Sequence, residues 1–384
     1  MKKIAFINTY CNGSTGGLIS IIADYLPRDS FEIKKYYGRS YNAKKKDWTF
    51  IGENHFSQKI SNLLTYITGM IGSFHKSSTK KLIKHLNSFK PDIIHIHNIH
   101  GNYLNFKMLG KYLHSFKGKI IFTMHDEFFL SGRCALLGCD KWKNGCYSCK
   151  HKDEYPHALI DKSAKLQKNK NEFIEKLNNP IFVFPSKWLF KLFGSRFPNA
   201  KKIVINNGIK IDPNTVVSKK KKETIKLLCV ANPWSVDKGS QIINNLSEKL
   251  PSKYEITVVG SNKKTSRLFG NKIKQTGILG KEVLRDEYLS SDIFINPTLK
   301  DNFPTVLLES LSYGLPVITF NTGGCSEIVD ESCGVVTSSN DSIALYNAII
   351  SFDFEKYSSK KCIDKAITFD AKICASKYLE VYLK

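Results

Sequence analysis

Two carboxylates, Asp301 and Glu309, stand at the ends of the segment DNFPTVLLE, which continues through Gly-Leu-Pro and a short apolar run to Gly323-Gly324. The turn between the acids runs into a helix, and helix N-terminal amides make an anion site. A second candidate is Lys238-Gly239, lying between the apolar run IKLLCV and the helical pattern SQIINNLSEKL. A lysine at a strand-to-helix turn can neutralise a diphosphate; a solvated turn lysine is the alternative, and it holds unless context overrides it. Near the N-terminus, Gly13, Gly16 and Gly17 open a helix after an apolar strand. Glycines there let backbone N–H groups approach a phosphate. Their spacing is not G-x-G-x-x-G, and no acid stands at the ribose distance, so a plain strand–helix turn is the competing reading. His125 and Asp126 follow the run KIIFTM, where a substrate would sit. His95, His97 and His100 alternate along an extended segment, but no nearby acid or cysteine completes a metal set. A lone histidine is more often a satisfied structural residue than a catalytic one.

Four cysteines, Cys134, Cys139, Cys146 and Cys149, give the spacing C-x4-C-x6-C-x2-C directly after the His125 strand. One C-x2-C pair with two further cysteines is compatible with a structural zinc in a tetrahedral Zn–S4 knot pinning a long loop. Free thiols or a labile disulfide are the alternatives. The other six cysteines are scattered and read as small buried hydrophobes.

These residues need a frame. At 384 residues the chain exceeds one compact core and suits two domains. A hydrophobic content of 42% with 24% charged residues describes a folded chain, not a disordered one. No apolar run reaches the roughly 18–20 residues of a membrane span, and the apolar start is too short for a signal peptide. A cytoplasmic location is expected, with thiols or metal ligands in preference to disulfides. The net charge of +24 calls for an anionic partner: nucleic acid, an acidic membrane face or a phosphorylated substrate. Solvated surface lysine, as an AT-rich genome favours, is the plain alternative. Short apolar runs (KKIAFINTY, PDIIHIHNIH, KIIFTMHD, PIFVFPS, KIVINNG) alternate with helix-length segments. A lysine run at Ser218–Thr224 marks a linker, after which the series restarts with IKLLCVANPW, YEITVVGS, DIFINPT and PVITFNT. The expectation is α/β: two doubly wound parallel-sheet domains, with ligands beyond the carboxyl ends of the strands.

With these elements in order, DNFPTVLLESLSYGLPVITFNTGG resembles the signature of retaining glycosyltransferase family 4: an acid, seven residues, a Glu, a G-x-P-V strand and a Gly-Gly turn. The resemblance takes in the Gly16-Gly17 turn, TMHD with His125, SKWL from Ser186, NNGI at Asn207-Gly208, and Lys238-Gly239. It implies the GT-B architecture, two facing Rossmann-like domains with a C-terminal helix returning to the first. The implied boundaries are 1–207 on the acceptor side, 208–365 for nucleotide-sugar binding, and 366–384 for the returning helix.

The resemblance implies a nucleoside diphosphate sugar donor. Glu309 would accept hydrogen bonds from the ribose, while Asp301 and the backbone of Asn302-Phe303-Pro304 would hold the transferred sugar. Lys238 would stabilise the leaving diphosphate, Gly16 and Gly17 would approach the same phosphates, Asn207, Gly208 and Asn232 would line the donor site, and His125 would orient the sugar. Retention follows from same-face attack, with the departing phosphate helping to deprotonate the acceptor. No catalytic cofactor is implied, since no D-x-D motif is present.

Two positions depart from the pattern. Asp301 replaces the usual Glu, and Asn232 replaces an Arg that touches phosphate, with Arg133 or Lys264 as candidate substitutes. The nearest branch acts in capsule, exopolysaccharide or O-antigen assembly and carries a cysteine-rich loop here, which favours structure over catalysis. A saccharide or undecaprenyl-linked acceptor follows from that branch. The segment Ile60–Leu86 combines apolar residues with Lys76, Lys80, Lys81 and Lys84. It suits docking on an anionic inner-membrane surface, the alternative being a core helix with a solvated lysine face. Competing functions are a basic nucleic-acid-binding protein, for which no specific motif is present, and a sugar-nucleotide epimerase of the same fold.

Overall fold

The computed structural model describes the chain except residues 40–44, 136–138, 153–155, 195, 213–222 and 339. Most of the expected lysine linker, 218–222, therefore lies outside the described residues. The chain forms two compact units, Met1–Asn206 with Ala375–Lys384, and Asn207–Cys374. Each is a parallel sheet with helical crossovers, as the alternating apolar runs predict.

In the first unit the strands are β1 (Lys2–Asn8), β2 (Phe31–Tyr37), β3 (Trp48–Phe50), β4 (Ile93–Ile96), β5 (Lys119–Thr123), β6 (Ile181–Phe184) and β7 (Lys201–Val204). Their order is β3-β2-β1-β4-β5-β6-β7, so the direction of winding reverses between β1 and β4. The helices are α1 (Gly13–Tyr25), α2 (His55–Thr68), α3 (Lys76–Phe89), α4 (Phe106–Ser115), α5 (Ser163–Glu175) and α6 (Lys187–Phe193). Strand alternation sorts the core. Ala5, Ile7, Ile94, Ile96, Ile120 and Phe122 share one cluster with Leu82, Leu109 and Phe173 from α3, α4 and α5. The opposite face carries Phe6, His95 and Thr123. There His95 Nδ1 meets Tyr382 Oη at 2.7 Å, and Thr123 Oγ1 meets Tyr378 Oη at 3.0 Å. Lys119 Nζ donates to the Val381 carbonyl at 2.9 Å, satisfying an end carbonyl of the helix that covers this face. His95 is thus a core histidine with both ring nitrogens bonded.

The second unit contains β8 (Ile225–Val230), β9 (Tyr254–Val259), β10 (Lys274–Thr276), β11 (Ile293–Asn296), β12 (Val317–Phe320) and β13 (Gly334–Thr337). Their order is β10-β9-β8-β11-β12-β13, with the reversal between β8 and β11. Its helices are α7 (Ser240–Lys249), α8 (Lys281–Ser290), α9 (Thr305–Ser312), α10 (Cys325–Ile328), α11 (Ser342–Ile350) and α12 (Ser359–Ile367); α13 (Ala371–Leu383) follows. Leu227, Cys229 and Ile318 pack in one cluster with Ile243 and Leu345, while Leu228, Phe294 and Val317 pack in the other with Leu307, Leu308 and Leu311. Both faces are covered, which is why these strands read as continuous apolar runs. The returning segment, expected from residue 366, is the helix Ala371–Leu383. Residues 359–367 form a separate helix, capped by Ser358 and packed on α9.

The segment Ile60–Leu86 is two helices, not one element, because Gly69 ends α2 in the left-handed conformation. Helix α3 is ordinary: Leu82, Leu86 and Phe89 are buried, and Lys76, Lys80, Lys81 and Lys84 face solvent. Helix α2 is inverted. Ser61 and Thr65 are its buried residues, while Phe56, Ile60, Leu63, Leu64, Tyr66 and Ile67 are exposed. Phe56 is 74% exposed and Leu63 56%. No helix among the described residues is long and apolar enough to cross a membrane.

Candidate functional site

Each unit brings its chemistry-bearing residues to its own topological switch point, the place where open parallel sheets hold ligands. In the second unit, β8 leads through Asn232 to a 3-10 turn, Val236–Lys238, before α7. Gly239 sits at φ +82, and a Cβ there would stand 2.2 Å from the Pro297 carbonyl oxygen. Only glycine fits, since the loop after β11 presses against this turn. That loop is tied to it by Leu299 N–H donating to the Asp237 carbonyl (2.8 Å) and by the Lys300–Asp237 ion pair (3.0 Å). The result is that Lys238 Nζ lies 2.5 Å from Asp301 Oδ2, both side chains partly open to solvent.

From Asp301 the chain passes through buried Asn302 and Phe303 to Pro304, which precedes α9. Among the described residues no N-cap side chain bonds the first amides of α9. The Gly323-Gly324 turn after β12 closes over this loop. Gly324 N–H donates to the Asn302 carbonyl at 2.8 Å, and Gly323, at φ +56, approaches the Asp301 carbonyl so closely that a Cβ would stand 1.9 Å away. The glycines that end the strand therefore let Asp301 be placed. Glu309, one α9 turn further on, accepts a hydrogen bond from Tyr288 Oη at 3.2 Å. Burial pushes its carboxyl up to about 6.

Asn207 and Gly208 also belong to this unit. The Asn207 Oδ1 atom has no partner among the described residues. A Cβ on Gly208 would meet Cys374 Cβ at 2.6 Å, so this glycine is accounted for by the close approach of α13. Of the candidate substitutes for the missing arginine, Lys264 is exposed on the loop after β9. Arg133 is buried in the first unit, donating to the Pro156 carbonyl.

In the first unit, α1 begins right after β1, and Gly16 lies in its first turn. A Cβ on Gly16 would stand 2.6 Å from the Cys11 carbonyl carbon, whereas one on Gly17 would meet nothing within 4 Å. Gly16 is needed by the protein's own packing; Gly17 leaves open space. Across the switch point, His97 Nδ1 lies 2.9 Å from His125 Nε2 with the rings stacked, and His100 Nε2 lies 2.9 Å from Asp126 Oδ2. Burial lowers His125 to about 4 and His97 well below its ordinary value, so this pair is neutral at pH 7. Burial works to raise Asp126, but the facing His100 and the Phe128 N–H hold its carboxyl below the ordinary value. The His97–His125 and His100–Asp126 pairs were not legible from spacing, because β4 and β5 had first to be placed side by side.

The cysteine loop leaves β5 on its way to α5. Cys134 and Cys146 are buried, Cys139 and Cys149 half-buried, and all four are thiols. Among the described residues no three of Cys, His, Asp or Glu are grouped so as to hold a metal. Hydrogen bonds to α5 and within the loop hold it in place. Gln167 Nε2 donates to the Leu130 and Trp142 carbonyls at 2.7 and 2.8 Å, Gly132 N–H donates to Cys146 Sγ at 3.1 Å, and Ser163 Oγ donates to the Cys146 carbonyl.

Comparison with known proteins bears on this geometry. Residues 224–352 match the family described as Glycosyl transferases group 1. The putative colanic acid biosynthesis glycosyl transferase WcaC of Escherichia coli K12 is 26% identical over 269 residues, covering 66% of this chain and 66% of that protein. Among solved structures, the fold resembles sucrose-phosphate synthase from Thermosynechococcus elongatus (TM-score 0.73, 14% identity, 100% of this chain and 98% of that one). It also resembles Anabaena Alr3699/HepE in complex with UDP-glucose (TM-score 0.65, 15% identity, 99% of each chain). The fold is that of the GT-B glycosyltransferases, and most of the second unit matches the group 1 family model.

Proposed function

We propose, for a chain whose residues 224–352 form a glycosyl transferases group 1 domain, that it transfers a sugar from a nucleoside diphosphate sugar with retention and without a catalytic metal. The observation that carries this is the Lys238–Asp301 contact at the second unit's switch point, with Glu309 one helix turn beyond Asn302-Phe303-Pro304. A cation on the turn after β8 then faces a carboxylate on the loop after β11, and α9 carries the second carboxylate onward from that loop.

In this reading Glu309 accepts from the ribose hydroxyls and Asp301 from the sugar. Lys238 and the uncapped α9 amides stabilise charge growing on the leaving diphosphate, and such stabilisation usually lowers the barrier more than any other single effect. The anomeric C–O bond to phosphate breaks while the acceptor oxygen bonds to the same face, and the acceptor proton passes to the departing phosphate. In the first unit, neutral His125 is the candidate for orienting the sugar. HepE, a structural relative, is seen with UDP-glucose, which makes a UDP-sugar the first donor to test. The relation to WcaC supports a saccharide or lipid-linked saccharide acceptor in surface-polysaccharide assembly. The exposed apolar face of α2 supports work at the inner face of the cell membrane.

The test is a transfer assay with labelled UDP- and GDP-sugars and membrane-extracted lipid-linked saccharides. Product mass and anomeric configuration are read by mass spectrometry and NMR. A product with inverted configuration, or donor epimerised without transfer, would overturn the proposal.

A further inference from the structure

The first unit contains a cavity of about 1060 Å³ that none of the donor residues lines. It lies along α4 and α5, and Met70–Ser73, the segment that follows α2, lines it as well. Its floor is apolar, from Phe106, Phe128, Leu166 and Phe173. Its walls are basic: Lys76, Lys107, Lys111, Lys165, Lys170 and Lys176 line it, and Glu172 is the one acid among the described lining residues. None of the six lysines pairs with a carboxylate among the described residues. Lys170 is 3% exposed. Its ammonium donates to the Phe128 carbonyl and stands 3.8 Å from the centre of the Phe128 ring.

We propose that this cavity binds the phosphate end and adjoining chain of an anionic amphiphile, a prenyl- or acyl-type phosphate, so that the acceptor is drawn from the membrane into the first unit. Charge complementarity selects the head group, since lysines serve as point charges for phosphate. The aromatic floor and the size select an apolar chain in place of a free anion. Burial pushes the Lys170 ammonium down to about 7, and a bound phosphate restores the charge that burial disfavours. The neighbouring surface is apolar as well. Leu63 and Ile67 are exposed on α2, which the lining segment Met70–Ser73 follows in the chain, and exposed Leu159 and Ile160 are joined to α2 through Leu159 N–H donating to the Tyr66 carbonyl at 2.9 Å. The identity of the ligand as acceptor rests on the transferase reading; the binding site itself does not.

The experiment measures binding of soluble farnesyl phosphate and inorganic phosphate to the full chain, with phosphatidylcholine vesicles with and without phosphatidylglycerol in parallel. Farnesyl phosphate should bind at least about tenfold more tightly than inorganic phosphate. The exposed double variant Lys107→Glu/Lys111→Glu should weaken it by about tenfold or more while leaving UDP binding unchanged. Leu63→Asp/Ile67→Asp should reduce capture by anionic vesicles but spare soluble farnesyl phosphate. Farnesyl phosphate binding no tighter than inorganic phosphate, or binding unaltered by the lysine reversals, would overturn the proposal. So would anionic vesicles retaining the chain with no uptake of farnesyl phosphate. Loss of UDP binding in the wild type would instead count against the transferase reading.

Discussion

Lys238 and Asp301, 63 residues apart in the chain, meet at 2.5 Å because Gly239 lets the loop after β11 press against the turn after β8. The contact fixes the lysine of this turn beside the carboxylate assigned to the sugar. Since both groups are partly solvated, their pairing is worth at most about 1 kcal/mol of stability.

Lys238→Ala should therefore leave the melting temperature nearly unchanged. Transfer should fall by about 10²–10³-fold, the usual effect of removing one preorganised charge stabiliser. Calorimetric melting alongside kcat and KM separates the two. A variant that unfolds, or one that retains full kcat, would contradict the role.

Glu309 gives a pH signature in the second unit. Its carboxyl sits at about 6 against an ordinary 4.5, so the native state holds the proton more tightly than the unfolded chain. Stability is full below about 4.5 and is lost as pH rises through about 6, a cost on the order of 2 kcal/mol at pH 7. Glu309→Gln should raise the unit's stability at pH 7.5 and change it little at pH 4, while weakening nucleotide binding. Thermal melts at the two pH values check the sign.

The first unit should respond in the opposite sense. Burial lowers His95 to about 3 from an ordinary 6.5. Its contribution is full above pH 6.5 and falls away toward pH 3, a loss of about 2 kcal/mol at pH 5. His95 holds Tyr382 of α13, so mild acid should loosen that helix first. Hydrogen exchange of residues 375–384 at pH 7 and pH 5 measures this, and His95→Gln should reduce the pH dependence, the remainder coming from buried His97 and His125.

Two glycines should behave differently. Gly323→Ala places a Cβ against the Asp301 carbonyl at positive φ; it should cost more than about 1 kcal/mol of stability and weaken donor binding. Gly17→Ala meets nothing. It should leave stability equal or slightly higher, because alanine is the better helix former, and reduce transfer if a phosphate approaches the backbone there. Denaturant melts with activity assays distinguish the two cases.

The central strands of both sheets were readable as apolar runs because both their faces are buried. The strands that sequence reading missed, β2, β3, β10 and β13, are less continuously apolar; three of them lie at sheet edges. Lys34 and Lys35 interrupt β2, and β10 is only Lys274–Thr276. Within the site, Asp301, Glu309, Lys238 and the glycine turns were legible because they lie close along the chain or follow strands. Tyr288, His97 with His125, and Asp237 with Lys300 were not, since each contact joins elements that become neighbours only after the sheet is wound. For helix α2 the sequence left membrane docking and a core helix both open, because its apolar residues have helical spacing and spacing alone does not say which face the protein covers.

The most direct test of the donor site is calorimetric titration of the full chain with UDP, GDP and their sugars, with and without EDTA. The account predicts micromolar binding of one nucleotide family, undiminished by EDTA and lost in Glu309→Ala. Binding that requires a divalent metal, binding that survives Glu309→Ala intact, or no binding of any nucleoside diphosphate would contradict it.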